Sequence, residues 1–170
     1  MPTLLTHPAV ALLKSWFPRL PLRAAAIGAI LSMLPDIDVI GFHFDVAYGS
    51  TFGHRGFTHS IVFALTTAAL GTLIVRPRTR ALFAFLFLCA ISHPILDAMT
   101  DGGLGIAFFS PFSNARYFFP WRPIRVSPIG ARFFSTRGLE TLRSEFVWVW
   151  IPCAVAALLT IFRRRSASRS

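Results

Sequence analysis

Imidazoles and carboxylates occur in this sequence in tight sets at the edges of apolar runs. Leu34-Pro35-Asp36-Ile37-Asp38 closes the first run with two carboxylates two positions apart, and Pro35 loosens the helix just before them. Gly53-His54-Arg55-Gly56-Phe57-Thr58-His59-Ser60 opens the second, with one imidazole in the loop and one in the first helical turn. Ser92-His93-Pro94-Ile95-Leu96-Asp97 ends the third, with His and Asp at i and i+4 on one helical face. Carboxylates at the edge of hydrocarbon are costly unless paired or metal-bound. Imidazole with carboxylate is the donor set of borderline divalent ions. The expected cofactor is therefore Zn²⁺, with Mn²⁺ or Fe²⁺ as alternatives, as one ion or as two sharing a carboxylate. Cys89 and Cys153 lie inside apolar runs, which excludes a disulfide framework and a cysteine metal knuckle.

Other polar residues gather near the same sets. Glu145 opens the fourth apolar run at the depth of the ligands and is the expected general base or extra ligand. Asp101, one turn beyond Asp97 and ahead of Gly102-Gly103, is the second carboxylate placed to take a proton. Phe108-Phe109-Ser110-Pro111-Phe112 and Tyr117-Phe118-Phe119-Pro120-Trp121-Arg122-Pro123 interleave rings with arginine, as segments at a membrane interface do. Arg55, Arg116 and Arg122 can hold phosphate through paired N–H donors.

Elements that bring these residues together follow from the apolar runs. The 170-residue chain is 54% hydrophobic and 14% charged, outside the usual range of soluble domains. We read one membrane domain over residues 1–170, an all-α integral membrane bundle. Four transmembrane helices are predicted at 22–40, 57–75, 81–100 and 146–162, with a short N-terminal helix at 4–17 and a long aromatic, arginine-rich interfacial loop at 101–145. Pro18-Arg19-Leu20-Pro21 reads as a tight turn, so the short helix runs antiparallel to the next and carries His7 to the height of residues 32–35. The opening Met1-Pro2-Thr3 has no basic n-region, so no signal peptide is expected.

Charge sets the orientation. Lys14, Arg19, Arg23, Arg76, Arg78, Arg80, Arg163, Arg164, Arg165 and Arg169 fall on one face with no acid among them, which the positive-inside rule makes cytoplasmic. Asp36, Asp38, Asp45, Asp97, Asp101, Glu140 and Glu145 fall on the other, with Arg55, Arg116, Arg122, Arg125, Arg132, Arg137 and Arg143. The site is thus expected on the periplasmic or external side of the cytoplasmic (inner) membrane. Net charge of +10 would suit nucleic acid on a soluble surface, but topology and anionic lipid account for the cations, and no nucleic-acid partner is expected.

With these motifs in order, the sequence resembles the YdjM-like family of predicted membrane-bound, metal-dependent hydrolases. That family's hallmarks are a Thr-His pair, Leu-Pro-Asp-x-Asp, His-Arg-Gly-x-Thr-His-Ser and Ser-His-x3-Asp-x2-Thr-x2-Gly. Thr6-His7, Leu34 to Asp38, His54 to Ser60, and Ser92-His93 with Asp97, Thr100 and Gly103 match them in order and spacing. Val39 departs from the pattern, standing where many members carry a polar residue. The resemblance implies that His7, Asp36, Asp38, His54, His59, His93 and Asp97 form the metal site.

The expected activity is hydrolysis of a phosphoester or ester in a lipid or lipid-linked substrate at the membrane surface. There a metal-activated water attacks, Glu145 or Asp101 takes the proton, and arginines hold the phosphate. The alternative is a non-enzymatic membrane metal-binding or transport protein with a structural His/Asp site. Polarity that stays at one end of the bundle favours a surface site over a conduit, since Thr66, Thr67 and Thr72 are the main polar residues below the first turn of the second run.

Overall fold

The computed structural model describes residues 1–128 and 133–167; the expected positions of Arg132 and Arg169 lie outside them. The architecture is all-helical, without strands among the described residues. The N-terminal segment forms a 3-10 helix, His7–Trp16, in place of the α-helix expected over 4–17. Pro8 at its start and Pro18 just beyond its end leave too few residues for a regular helix to propagate.

Helix α1, Leu22–Met33, continues directly as a 3-10 stretch, Leu34–Phe44, because Pro35 supplies no N–H and tightens the turn. Asp45 ends that stretch in the left-handed region at φ 54°. A short 3-10 turn, Phe57–His59, precedes α2, Ile61–Ile74, so α2 starts four residues later than the sequence suggests. The Ser60 hydroxyl caps it by accepting from the Phe63 N–H. Helix α3, Arg80–Ala98, is capped in the same way by Thr79 and carries Pro94 in its last turns.

The segment expected as loop up to residue 145 ends instead in a helix. Helix α4, Thr136–Glu145, buries Gly138, Thr141 and Glu145 on one face. It runs through a π-helical turn, Phe146–Trp150, into α5, Ile151–Ala167.

Helix α3 is the centre of the bundle and packs against both α1 and α2. Its fully buried Leu82, Phe85, Leu86 and Cys89 meet small residues on the facing helices: Ala24 and Gly28 on α1, Ala64, Ala68 and Gly71 on α2. A Cβ at Gly28 would lie 2.8 Å from Cys89 Sγ, so only glycine admits this approach. Close packing through small residues is how helices associate where lipid removes the hydrophobic drive between them. The outward faces stay apolar, with Leu70, Leu73 and Ile74 on α2 and Leu158, Leu159 and Phe162 on α5 exposed.

Three helical stretches are long and apolar enough to cross a membrane: Leu22–Phe44, Arg80–Ala98 and Thr136–Ala167. Helix α2 is equally apolar but has 14 residues, about 21 Å at 1.5 Å per residue.

Candidate metal centre

The break from α-helix to 3-10 after Met33 turns Asp36 and Asp38 inward, where both are buried. The loop from Gly53 wraps back towards them. Phe57 N–H donates to Thr51 O at 2.7 Å, and Arg55 takes the left-handed conformation at φ 64°. Asp38 gathers this loop. Its Oδ1 lies 2.7 Å from His54 Nδ1, and its Oδ2 accepts from the Thr58 hydroxyl at 2.6 Å and from the Arg55 N–H at 3.2 Å. His59 Nδ1 lies 3.2 Å from the same oxygen and 3.0 Å from Thr58 Oγ1. Both Asp38 oxygens are therefore spent on donors, and the side chain stands behind His54 and His59 as the carboxylate that orients them.

His93, on α3, points its Nδ1 at Ser32 O of α1, 2.7 Å away. That contact places the ring proton on Nδ1 and the lone pair on Nε2. Asp38 does the same for His59. The two lone-pair nitrogens then face each other, Nε2 to Nε2, at 3.1 Å. Asp36 Oδ1 stands 3.4 Å from His93 Nε2 and 3.7 Å from His59 Nε2, and Asp97 Oδ2 stands 3.6 Å from His59 Nε2. Two nitrogens on one tetrahedral zinc are separated by about 3.4 Å, given Zn–N of about 2.1 Å. Facing lone pairs repel unless a cation or proton lies between them.

Unpaired polar atoms carry the same message. Both oxygens of Asp36 and of Asp97, and both nitrogens of His7, are buried without a hydrogen-bond partner. His7 is stacked on His93 with ring centroids 3.8 Å apart, and its Nε2 lies 3.9 Å from Asp97 Oδ1. Donor atoms of His7, His93 and Asp97 converge as one set that could hold an ion, and those of Asp36, His54 and His59 as a second. A buried carboxylate without donors, as at Asp36, is costly, and a divalent cation supplies what it lacks; at Asp97 the Arg55 guanidinium meets one oxygen and leaves the other open. The residues present therefore fit such an ion.

The remaining expected site residues are already engaged. Arg55, fully buried, places Nε 3.1 Å from Asp97 Oδ2. It also donates to the carbonyls of Gly102 and Leu104 and to Thr100 Oγ1. It ties the histidine loop to the end of α3. Arg116 donates to the carbonyls of His54, Gly105, Tyr48 and Ser50 and so shapes the loop instead of facing open space. Partial burial, the largest effect on it, lowers its pKa. Arg122 is exposed and lies over the Phe118 ring at 4.9 Å.

Asp101 pairs with Arg125 at 2.9 Å and accepts from the Val126 N–H at 2.8 Å. Partial burial pushes its pKa up, but these two donors outweigh it and hold the carboxyl below its ordinary range. Glu145 is buried, and its carboxylate accepts from the Thr3 N–H, the Thr3 hydroxyl and the Thr6 hydroxyl. Trp150 Nε1 donates to Thr6 Oγ1 from the π-helical turn. Thr3 and Thr6 carry a faint signal in the sequence, a Thr-x-x-Thr-His spacing that puts two hydroxyls just ahead of His7, and their link to Glu145 is beyond its reach. Tyr48, stacked on His54 with centroids 5.3 Å apart, has no such signal.

The family described as "YdjM inner membrane protein" matches residues 1–167. "Inner membrane protein YbcI" of Escherichia coli (strain K12) is 42% identical over 173 residues, covering 97% of this chain and 100% of YbcI. "Uncharacterized protein YvsG" of Bacillus subtilis (strain 168) is 35% identical over 95 residues, 52% of this chain and 58% of YvsG. No solved structure matches the chain.

Proposed function

The chain belongs to the YdjM inner membrane protein family, and from that premise we propose that it is a membrane-bound, metal-dependent hydrolase of a phosphoester or ester in a lipid or lipid-linked substrate. The observation that carries this reading is the buried, donorless carboxylate of Asp36, with the buried Asp97 carboxylate met by Arg55 alone, beside the facing Nε2 atoms of His59 and His93. Asp36, Asp97, His59 and His93, with His7 and His54 completing the two convergent sets, would hold one or two ions, with Zn²⁺ favoured by the mixed His/Asp donors. When bound, a divalent ion lowers the pKa of a water and polarises the scissile oxygen.

The other side chains take supporting roles. Asp38 and the Ser32 carbonyl fix the tautomers of His54, His59 and His93. Arg55 balances Asp97. Glu145 acts through Thr3 and Thr6, which precede His7, and Asp101, partly open to solvent beside Arg125, carries the released proton outward. Arg122 is the arginine left to meet an anionic headgroup, since the guanidinium of Arg116 is taken up by four carbonyls. The chain crosses the inner membrane four times, α2 included, with the centre on the periplasmic side. One observation favours a second reading, a metal that only staples the helices: His7, His59, His93 and Asp97 are all fully buried.

Elemental analysis of the detergent-purified protein, beside a His59→Ala/Asp97→Ala double variant, tests the centre. Stoichiometric metal in the wild type that is lost from the variant is expected. Lipid phosphatase or esterase activity should then vanish on chelation and return with Zn²⁺. Trace metal in both proteins would end the reading, and metal without turnover on any lipid ester would leave the structural one.

A further inference from the structure

The end of the bundle remote from the histidines holds a different kind of site. Here the turn between the N-terminal 3-10 helix and α1, the turn between α2 and α3, and the last turns of α5 come together. They enclose an open cavity of about 670 Å³ lined by Trp16, Phe17, Arg19, Thr79, Ala81 and Arg164, among others. Arg164 donates from Nη2 to Trp16 O at 3.0 Å, which keeps one side of its guanidinium at the rim. Arg19 is exposed and makes no hydrogen bond or ion pair with the described residues. Lys14, Arg23, Arg76, Arg78 and Arg80 stand on the same end. All seven acidic residues belong to segments at the opposite end, so no carboxylate among the described residues neutralises this rim.

An aromatic and apolar wall below a guanidinium rim, at the ends of membrane helices, matches the chemistry of the headgroup layer. Acyl chain packs on rings, and phosphate accepts from arginine in a two-point contact. We propose that this cavity binds one anionic phospholipid, its phosphate between Arg19 and Arg164 and its acyl chain against Trp16 and Phe17. Such a lipid joins three separate chain segments at the cytoplasmic end. The site is distinct from the histidine centre and stands whether or not that centre is catalytic.

Native mass spectrometry of delipidated protein offered equal phosphatidylglycerol and phosphatidylcholine reads the result directly. One phosphatidylglycerol per chain is expected to remain. Arg19→Gln/Arg164→Gln should weaken it roughly thirtyfold, from about 1 kcal/mol per arginine near a headgroup. Ala81→Trp fills the cavity without changing charge and should weaken it as well; Ala81 is exposed, so folding is not at risk. Equal retention of phosphatidylcholine would overturn the proposal, as would retention unchanged in the arginine variant. Loss in the arginine variant with none in Ala81→Trp would reassign the effect to general surface charge. Displacement of the lipid by inorganic phosphate would make the ligand a free anion.

Discussion

At the scale of residues, burial and donor supply separate the carboxylates that the sequence presents as equals. Asp36 and Asp38 lie two positions apart, yet Asp38 takes four donors and Asp36 takes none. Spacing could place both at the edge of the bundle, but it could not tell the orienting carboxylate from the one left open. The same holds for Glu145, whose three donors come from Thr3 and Thr6, more than 130 positions away. No local pattern encodes that contact. It leads to a prediction. Glu145→Gln removes the charged acceptor that holds residues 3–6 and, through them, His7 above His93. Hydrogen bonds to a charged group are worth about 2 kcal/mol each, and loss of a supporting partner typically weakens a metal site by about 10- to 100-fold. A metal titration of Glu145→Gln should show that drop, while Glu140→Gln, at an exposed position on the same helix, should match the wild type. Equal affinities in both variants would detach Glu145 from the centre.

At the scale of elements, the sequence marks what is decided locally. Ser60 and Thr79 sit at helix starts and cap them, and the Pro18 to Pro21 turn folds the N-terminal segment back on α1. Three of the four apolar runs appear as helices of spanning length. Tertiary contacts decide the rest. Helix α4 is rich in polar residues, and its periodicity lies in Gly138, Thr141 and Glu145, which no hydropathy reading scores as a buried face. The 3-10 form of Leu34–Phe44 depends on Pro35 together with the pull of the histidine loop on Asp38. Packing of α1 on α3 is the contact on which the site depends most, because Ser32 and Asp36 must meet His93. Gly28→Leu would drive a side chain into Cys89 and Phe85, whose nearest atoms lie 2.8 and 3.0 Å from where a Cβ would stand. Overpacking of this kind costs about 1–3 kcal/mol. Thermal unfolding in detergent should show that loss together with reduced metal content. Gly49→Leu, where a Cβ would meet nothing within 4 Å, should change neither.

At the scale of the whole molecule, the parity of crossings ties the two ends of the bundle together. Helix α1 runs from the arginine end to the carboxylates, α2 runs back, α3 returns to His93 and Asp97, and α4 with α5 ends at Arg163 to Arg165. If each of these passages crosses the membrane, as proposed, their even number puts the turn at Arg19 and the tail on one side. Helix α2, about 21 Å long, is short of the roughly 30 Å of hydrocarbon, so the four-span proposal needs the loop before it to make up the depth. Irregular backbone survives at membrane depth only where protein satisfies its polar groups. Here Gly56 N donates to Gly53 O, Ile61 N to Phe108 O, and Ala107 N to Arg55 O, so the loop is closed by protein contacts. The four-span proposal therefore makes a sharp prediction for a membrane-impermeant maleimide. Native Cys89 is buried and Cys153 half-buried within helices, which keeps the background low. Ser113→Cys in the interfacial loop should react in intact spheroplasts, whereas Arg19→Cys and Ser166→Cys should react only once the membrane is opened. If Arg19→Cys and Ser166→Cys label from opposite sides, the number of crossings is odd and α2 does not span. If the two groups exchange sides, the histidine centre faces the cytoplasm, and the lipid cavity at the arginine end faces out.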